Sequence, residues 1–173
     1  TTTDQWPLED EPHAIARMLE ALDRTLALYP DGFFRQMKNT MGEGGVRFMP
    51  VGHIENAVNA IGLTYETYGW QYIDVTIDAF DGTICHEIWH AIEGVLLPRN
   101  WDAINQEEWA ACNPAGFSYN EDAETPDSNP ERWTFFYEFS AQDVYFVDAY
   151  SRTNAKEDRA RIMEYIMATE DVA

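Results

Sequence analysis

The chain has 173 residues and carries 31 acidic against 11 basic side chains, a formal net charge of -20. Such a surface repels phosphate backbones and anionic lipid, which argues against nucleic-acid or membrane-surface binding. With 45% hydrophobic and 14% aromatic residues it can bury a core, its length suits a single domain, and no apolar run reaches the roughly 20 residues that span a bilayer.

The chain opens TTTDQWP, without methionine or a hydrophobic leader, and reads as a processed product. From Glu9 to Leu28 the residues Ile15, Met18, Leu19, Leu22 and Leu26 recur at helical spacing, and Tyr29-Pro30-Asp31-Gly32 breaks that helix. After the turn at Met41-Gly42-Glu43-Gly44-Gly45 comes a strand-like run, Val46 to Val51. Ile61 to Tyr65 and Trp70 to Ile77 read as two more strands around Thr67-Tyr68-Gly69. In the last of these, Tyr72, Asp74, Thr76 and Asp78 alternate with Ile73, Val75 and Ile77, which predicts one wet and one buried face.

A second helix is expected from Asp81-Gly82-Thr83, capped by Asp81 or Thr83, to a stop near Gly94. Pro98 to Trp133 is rich in Asn, Pro, Asp and Glu and reads as loop, with a short helix around Gln106 to Ala111. Asn154 is a good N-cap for a final helix running to about Ala168, with Ala160, Ile162, Met163, Ile166 and Met167 on its buried side. The order predicts an α+β fold in one domain, residues 1–173, with an N-terminal lobe over about 1–95 and a C-terminal lobe over about 96–173. Cys85 and Cys112 are the only cysteines, and either one disulfide or two buried thiols accounts for them.

The chemistry concentrates in Thr83 to Gly94, TICHEIWHAIEG. Residues four apart share a helical face, so His86 and His90 can aim one imidazole nitrogen each at a single ion. Glu87 is offset and reaches a water rather than the ion, the arrangement in which zinc acidifies water and a glutamate takes the proton. Ile84, Cys85, Ile88, Trp89, Ala91 and Ile92 around them are uncharged, as a buried active-site helix requires. For a third ligand, position 96 is Leu96 rather than the histidine of a metzincin pattern, and His13 and His53 read as surface or structural histidines. Glu93 reads as a supporting or solvated group at the helix end. A glutamate on a later helix is the remaining pattern, and the last helix opens Asn154-Ala155-Lys156-Glu157-Asp158, which leaves both acids in play.

HEIWHAIE, followed by NPAGFSY and then AYSRTNAKEDRARIMEYIM, resembles a family of bacterial secreted or lipoprotein-type zinc-metallopeptidase-like proteins of the HExxH gluzincin type. That family is similar in its order of elements to the catalytic domain of anthrax lethal factor. The likeness covers roughly Trp70 to Met167. It implies a zincin-like domain, one zinc ion held by His86, His90 and Glu157, and Glu87 as general base. It also implies a tyrosine seven residues before the ligand glutamate, Tyr150, as the oxyanion donor; Tyr119 in NPAGFSY is the alternative. The strand before the motif, Trp70 to Asp78, would be the sheet edge that binds extended peptide. The implied activity is hydrolysis of peptide bonds in an extracytoplasmic setting. Its rivals are a zinc-binding module without catalysis and a cell-wall peptide amidase. The family pattern departs at Arg161, where an aspartate would orient the first histidine, so another group must orient His86.

Overall fold

A computed structural model of the chain describes residues 12–54, 60–119, 145–148 and 150–168. The first amphipathic run forms helix α1, Pro12–Leu26, opening on a proline where a helix needs no amide donor. Met18 and Ala21 on its inner face are buried, whereas Leu19 is 47% exposed. Helix α2 is a single turn, Phe33–Gln36, entered through Gly32. Phe34 packs edge-on against Phe48 of the sheet.

Three strands follow: β1, Gly45–Val51, β2, Gly62–Thr67, and β3, Trp70–Thr76. The order is β1-β3-β2, with β3 parallel to β1 and antiparallel to β2. Tyr68 and Gly69 both take positive φ, 50° and 78°, the two-residue hairpin turn whose twist matches that of paired strands. Two expectations fail in this sheet. β3 is its central strand and cannot be the edge that takes a peptide; among the described residues β1 and β2 are the edges, and β2 packs against the helix that carries the motif. The parallel pairing of β1 is a non-local contact that alternation along β3 does not reveal. Nor is there a wet face: Asp74 and Thr76 are 0% and 4% exposed. Asp74 lies between Met49 and Leu63 of the flanking strands.

Helix α3, Asp81–Arg99, crosses the sheet and is buried at every position from 81 to 88. Ile84, Ile88 and Ala91 join Ile73, Val75, Met18 and Ala21 in one core. Its start differs from expectation. Phe80 is the N-cap and no side chain caps the helix. Asp81 instead accepts both guanidinium nitrogens of Arg24, at 3.1 and 2.7 Å, and ties α1 to α3. The end differs as well, since the helix runs on past Gly94 to Arg99. A Cβ at Gly94 would sit 2.8 Å from Gln71 Oε1, so this glycine lets the helix press onto β3 and is no stop signal.

A 3-10 turn at Trp101–Ala103 and helix α4, Gln106–Ala111, come next. The Asn105 side chain caps α4 by accepting the amides of Glu107 and Glu108. Trp133, Phe135, Phe136 and Tyr137 of the aromatic-rich segment lie outside the described residues. A 3-10 turn at Tyr150–Arg152 leads into helix α5, Ala155–Met167. Asn154 caps α5 as predicted, accepting from Lys156 and Glu157 at 2.9 and 3.0 Å.

The inward face of α5 is polar rather than apolar. Asp158, Arg159 and Glu164 are buried beside Ala160, while Ile166 is 69% exposed. The reason is its neighbour: the side of α3 that α5 meets carries His86, His90 and Glu93. Cys85 is buried, Cys112 is exposed, and both are free thiols, so no disulfide pins the loop to α3. Among the described residues no helix is long and apolar enough to cross a membrane. The architecture is mixed α+β around a small three-stranded sheet.

Candidate metal centre

One turn apart on α3, His86 and His90 bring their Nε2 atoms to 3.1 Å of each other. From α5, Glu157 Oε2 lies 3.0 Å from His86 Nε2 and 3.3 Å from His90 Nε2. Three atoms with lone pairs thus close a triangle with edges of 3.0 to 3.3 Å. Four tetrahedral bonds of about 2.1 Å require donor separations of about 3.4 Å, so a small divalent ion fits this donor set with little adjustment. His86, His90 and Glu157 can hold a metal ion. His13 and His53 are exposed and take no part.

Local structure explains why Glu157 and not its neighbour is in the triangle. The Asn154 cap fixes the start of α5 and turns Glu157, in the first turn, towards α3. Asp158 points elsewhere: it is 2% exposed and its Oδ2 accepts the Tyr119 hydroxyl at 2.7 Å.

The three donors polarise one another in the ion-free protein. Burial pulls the His86 imidazolium down, but the Glu157 and Glu164 carboxylates beside it outweigh burial and raise the pKa to about 9. Burial raises Glu157 too, yet His86 and His90 hold it well below the usual carboxylate range.

Glu87 stays out of the triangle. Its carboxylate is 2.7 Å from the Thr64 hydroxyl of β2, which also lies 2.9 Å from the Glu87 carbonyl. Burial pushes this carboxyl up against the pull of His90 and His86. Gly62 makes room for it: a Cβ there would lie 2.7 Å from Glu87 Cγ and 2.8 Å from Oε1.

Tyr150 occupies the turn just before α5, with its ring centroid 6.1 Å from that of His86. Its hydroxyl hydrogen-bonds Glu157, and burial, then the Glu157 and Glu87 carboxylates, keep it protonated far above its ordinary range. It lines the same cleft as the histidines. Tyr119 does not; it accepts from the Trp109 indole at 2.9 Å and donates to Asp158. Of the two tyrosines singled out in the sequence, the fold brings only Tyr150 to the site.

The cleft, about 710 Å³ in volume, is lined by β2 residues, by His86, Glu87, His90 and Glu157, and by Leu97, Pro98 and Trp101. Trp101 is 75% exposed.

Glu164 and Asp148 support the site although the sequence marks neither for it, whereas Glu93 takes the supporting one of its two readings. His86 Nδ1 lies 3.3 Å from Glu164 Oε2, within ion-pair reach but outside hydrogen-bond geometry. Arg161 donates to Glu164 and to Asp148. Glu93 is not solvated: at 2% exposure it receives the Arg159 guanidinium and the Trp89 indole, the latter at 2.9 Å. The one signal in the sequence is spacing, since Glu164 follows Glu157 by 164 − 157 = 7 residues and shares its helical face. Comparison of the chain with protein families, with curated proteins and with solved structures returns no match, so the family resemblance gains no relative and the site's geometry carries the functional argument.

Proposed function

We propose that the chain is a zinc-dependent hydrolase with a zincin-like, gluzincin-type site, and that it cleaves peptide bonds. The observation that carries this is the triangle of His86, His90 and Glu157 with Glu87 beside it in an open cleft. The two histidines and Glu157 would hold the ion. A zinc ion in such a donor set supplies Lewis acidity, acidifying water and polarising a carbonyl.

Glu87 is the general base. Its burial-raised carboxyl suits it to take a proton from the attacking water and return it to the leaving amine. Thr64 and the Gly62 notch keep that carboxylate away from the ligand triangle. Tyr150 carries a hydroxyl that stays protonated, the form needed to donate to an oxyanion as charge develops in the transition state. An extended peptide would lie along β2, whose outer edge has no strand partner among the described residues. Leu97, Pro98 and Trp101, which line the same cleft, would offer its side chains an apolar surface.

Metal analysis combined with turnover of a mixed peptide library tests the reading, on the wild type and on Glu87→Gln. Both proteins should carry zinc, and cleavage should fall by roughly 100-fold or more in the variant. A zinc-loaded wild type that cleaves nothing would make the domain a binding module. Cleavage by Glu87→Gln at the wild-type rate would remove Glu87 from the mechanism.

A further inference from the structure

The ring nitrogen of His86 that faces away from the ligand triangle needs a partner to fix the ring's orientation. A histidine ligand whose second nitrogen has no partner can rotate, and its basicity falls. Arg161, at the position where the resembling family would supply an acid, cannot accept that N–H. The next acid on this face of α5 is Glu164, 3% exposed, with Oε2 3.3 Å from His86 Nδ1.

The surroundings of Glu164 are built to hold it there. Gly82, one turn before His86 on α3, has no side chain, and a Cβ at that position would lie 3.0 Å from Glu164 Cγ and 3.1 Å from Oε1. The missing methyl is space that Glu164 shares with the Phe80 ring, whose Cε2 would lie 2.7 Å away. Arg161 then grips the same carboxylate oxygen that faces His86. Arg161 is in turn held by Asp148 Oδ2. The other oxygen of Asp148 accepts the Ser151 amide at 3.0 Å, fixing Asp148 to the turn before α5.

We propose that Glu164 is the positioning residue for His86, and that Asp148 holds Glu164 in place through Arg161. The inference rests on the zinc reading of the site. Glu164 touches neither substrate nor ion; it acts on the ring that does. Asp148, Arg161 and Glu164 form one line of support, so breaking it at either end has the same consequence for His86.

Zinc affinity separates this from a packing role. It is measured on the full chain by competition with a chromophoric chelator, with circular dichroism to show that each variant is folded. Glu164→Met fills the same space without an acceptor, and zinc should bind about 10- to 100-fold more weakly. Glu164→Gln keeps an acceptor in reach of Nδ1 and should recover part of that loss. Asp148→Asn should weaken zinc in the same direction, and Asp148→Asn combined with Glu164→Met should be no weaker than Glu164→Met alone. Wild-type zinc affinity in Glu164→Met overturns the assignment of Glu164, and additive losses in the double variant overturn the link to Asp148. If Asp148→Asn does not fold, Arg161→Met replaces it in the same comparison. A wild type that takes up no zinc fails differently, since it removes the metal reading itself and this inference with it.

Discussion

Gly62→Ala is the smallest change that reaches the chemistry without touching a ligand or the base. The new Cβ would meet Glu87 Cγ at 2.7 Å, Glu87 Oε1 at 2.8 Å and Thr83 Cγ2 at 2.9 Å. Ordinary contact begins at 3.4 Å, so relief requires a movement of 3.4 − 2.7 = 0.7 Å. β2 is hydrogen-bonded to β3 and α3 is packed in the core, which leaves the Glu87 side chain as the part that gives. Its carboxylate is already fixed by Thr64 at 2.7 Å, so the movement breaks that contact. Overpacking of this kind costs about 1–3 kcal/mol of stability. A displacement approaching 1 Å at a catalytic group costs on the order of 100-fold in rate. Zinc content should be unchanged, because the atoms nearest the new Cβ belong to Glu87 and Thr83 and to none of the three ligands. The assay is kcat on a peptide substrate, alongside zinc analysis and a melting curve. Wild-type kcat in a folded, zinc-loaded Gly62→Ala protein would refute the placement of Glu87 in that notch.

Three further outcomes follow from the same geometry. Glu157→Ala should lose most of its bound zinc, while Asp158→Ala, which removes a partner of Tyr119, should retain it; the reverse result in metal analysis would exchange their roles. Arg159→Met strands Glu93 in an interface where the two side chains are 4% and 3% exposed, and should cost about 3–5 kcal/mol in denaturant unfolding. Replacing both Arg159 and Glu93 by Met should recover most of that loss. The pKa of His86 in ion-free protein is raised from 6.5 to about 9, so its contribution to stability is complete below 6.5 and is lost as pH rises through 9. Melting temperatures of chelator-treated protein should therefore fall across that window, and calorimetry in buffers of different ionisation enthalpy should detect about one proton released per zinc bound at neutral pH.

What the sequence reveals here is what can be decided within one element. The pair His86 and His90 follows from four-residue spacing on a helix; the Asn154 cap narrows the third ligand to Glu157 or Asp158, and only the family resemblance chooses Glu157. Tyr150 falls at the cleft because the turn containing it runs directly into α5. The β2–β3 hairpin is visible in Tyr68-Gly69. Hidden from the sequence are relations between elements. The parallel pairing that puts β3 in the centre joins residues 45–51 to 70–76 across an intervening strand. Gly94 reads as a stop, and nothing in the pattern marks Gly62 within a strand or Gly82 at a helix start, yet each of the three leaves room for a side chain from another element: Gln71, Glu87 and Glu164. Apolar periodicity also misjudged α5, because a helix packed on a histidine-bearing face buries charge rather than hydrocarbon.

That buried charge bears on how His86, His90 and Glu157 could hold an ion. Glu87, Glu93, Asp148, Glu157, Asp158 and Glu164 all converge where α3 meets α5 and the turn before it. Arg159 serves Glu93, Arg161 serves Asp148 and Glu164, and the Tyr119 hydroxyl serves Asp158. Glu157 is left facing His86 and His90 from α5, with Glu87 beside them on α3. In the ion-free protein a proton on His86 supplies the balancing charge, which is why burial fails to depress its pKa. Pairs such as Arg159 with Glu93 add little net stability over apolar packing of the same shape. Their effect is to fix the register of α5 on α3, and a slip of one residue would present Asp158 in place of Glu157. The energetic cost of a charged interface is thus tied to the alignment of one oxygen with two nitrogens, and zinc binding is the event that would recover it.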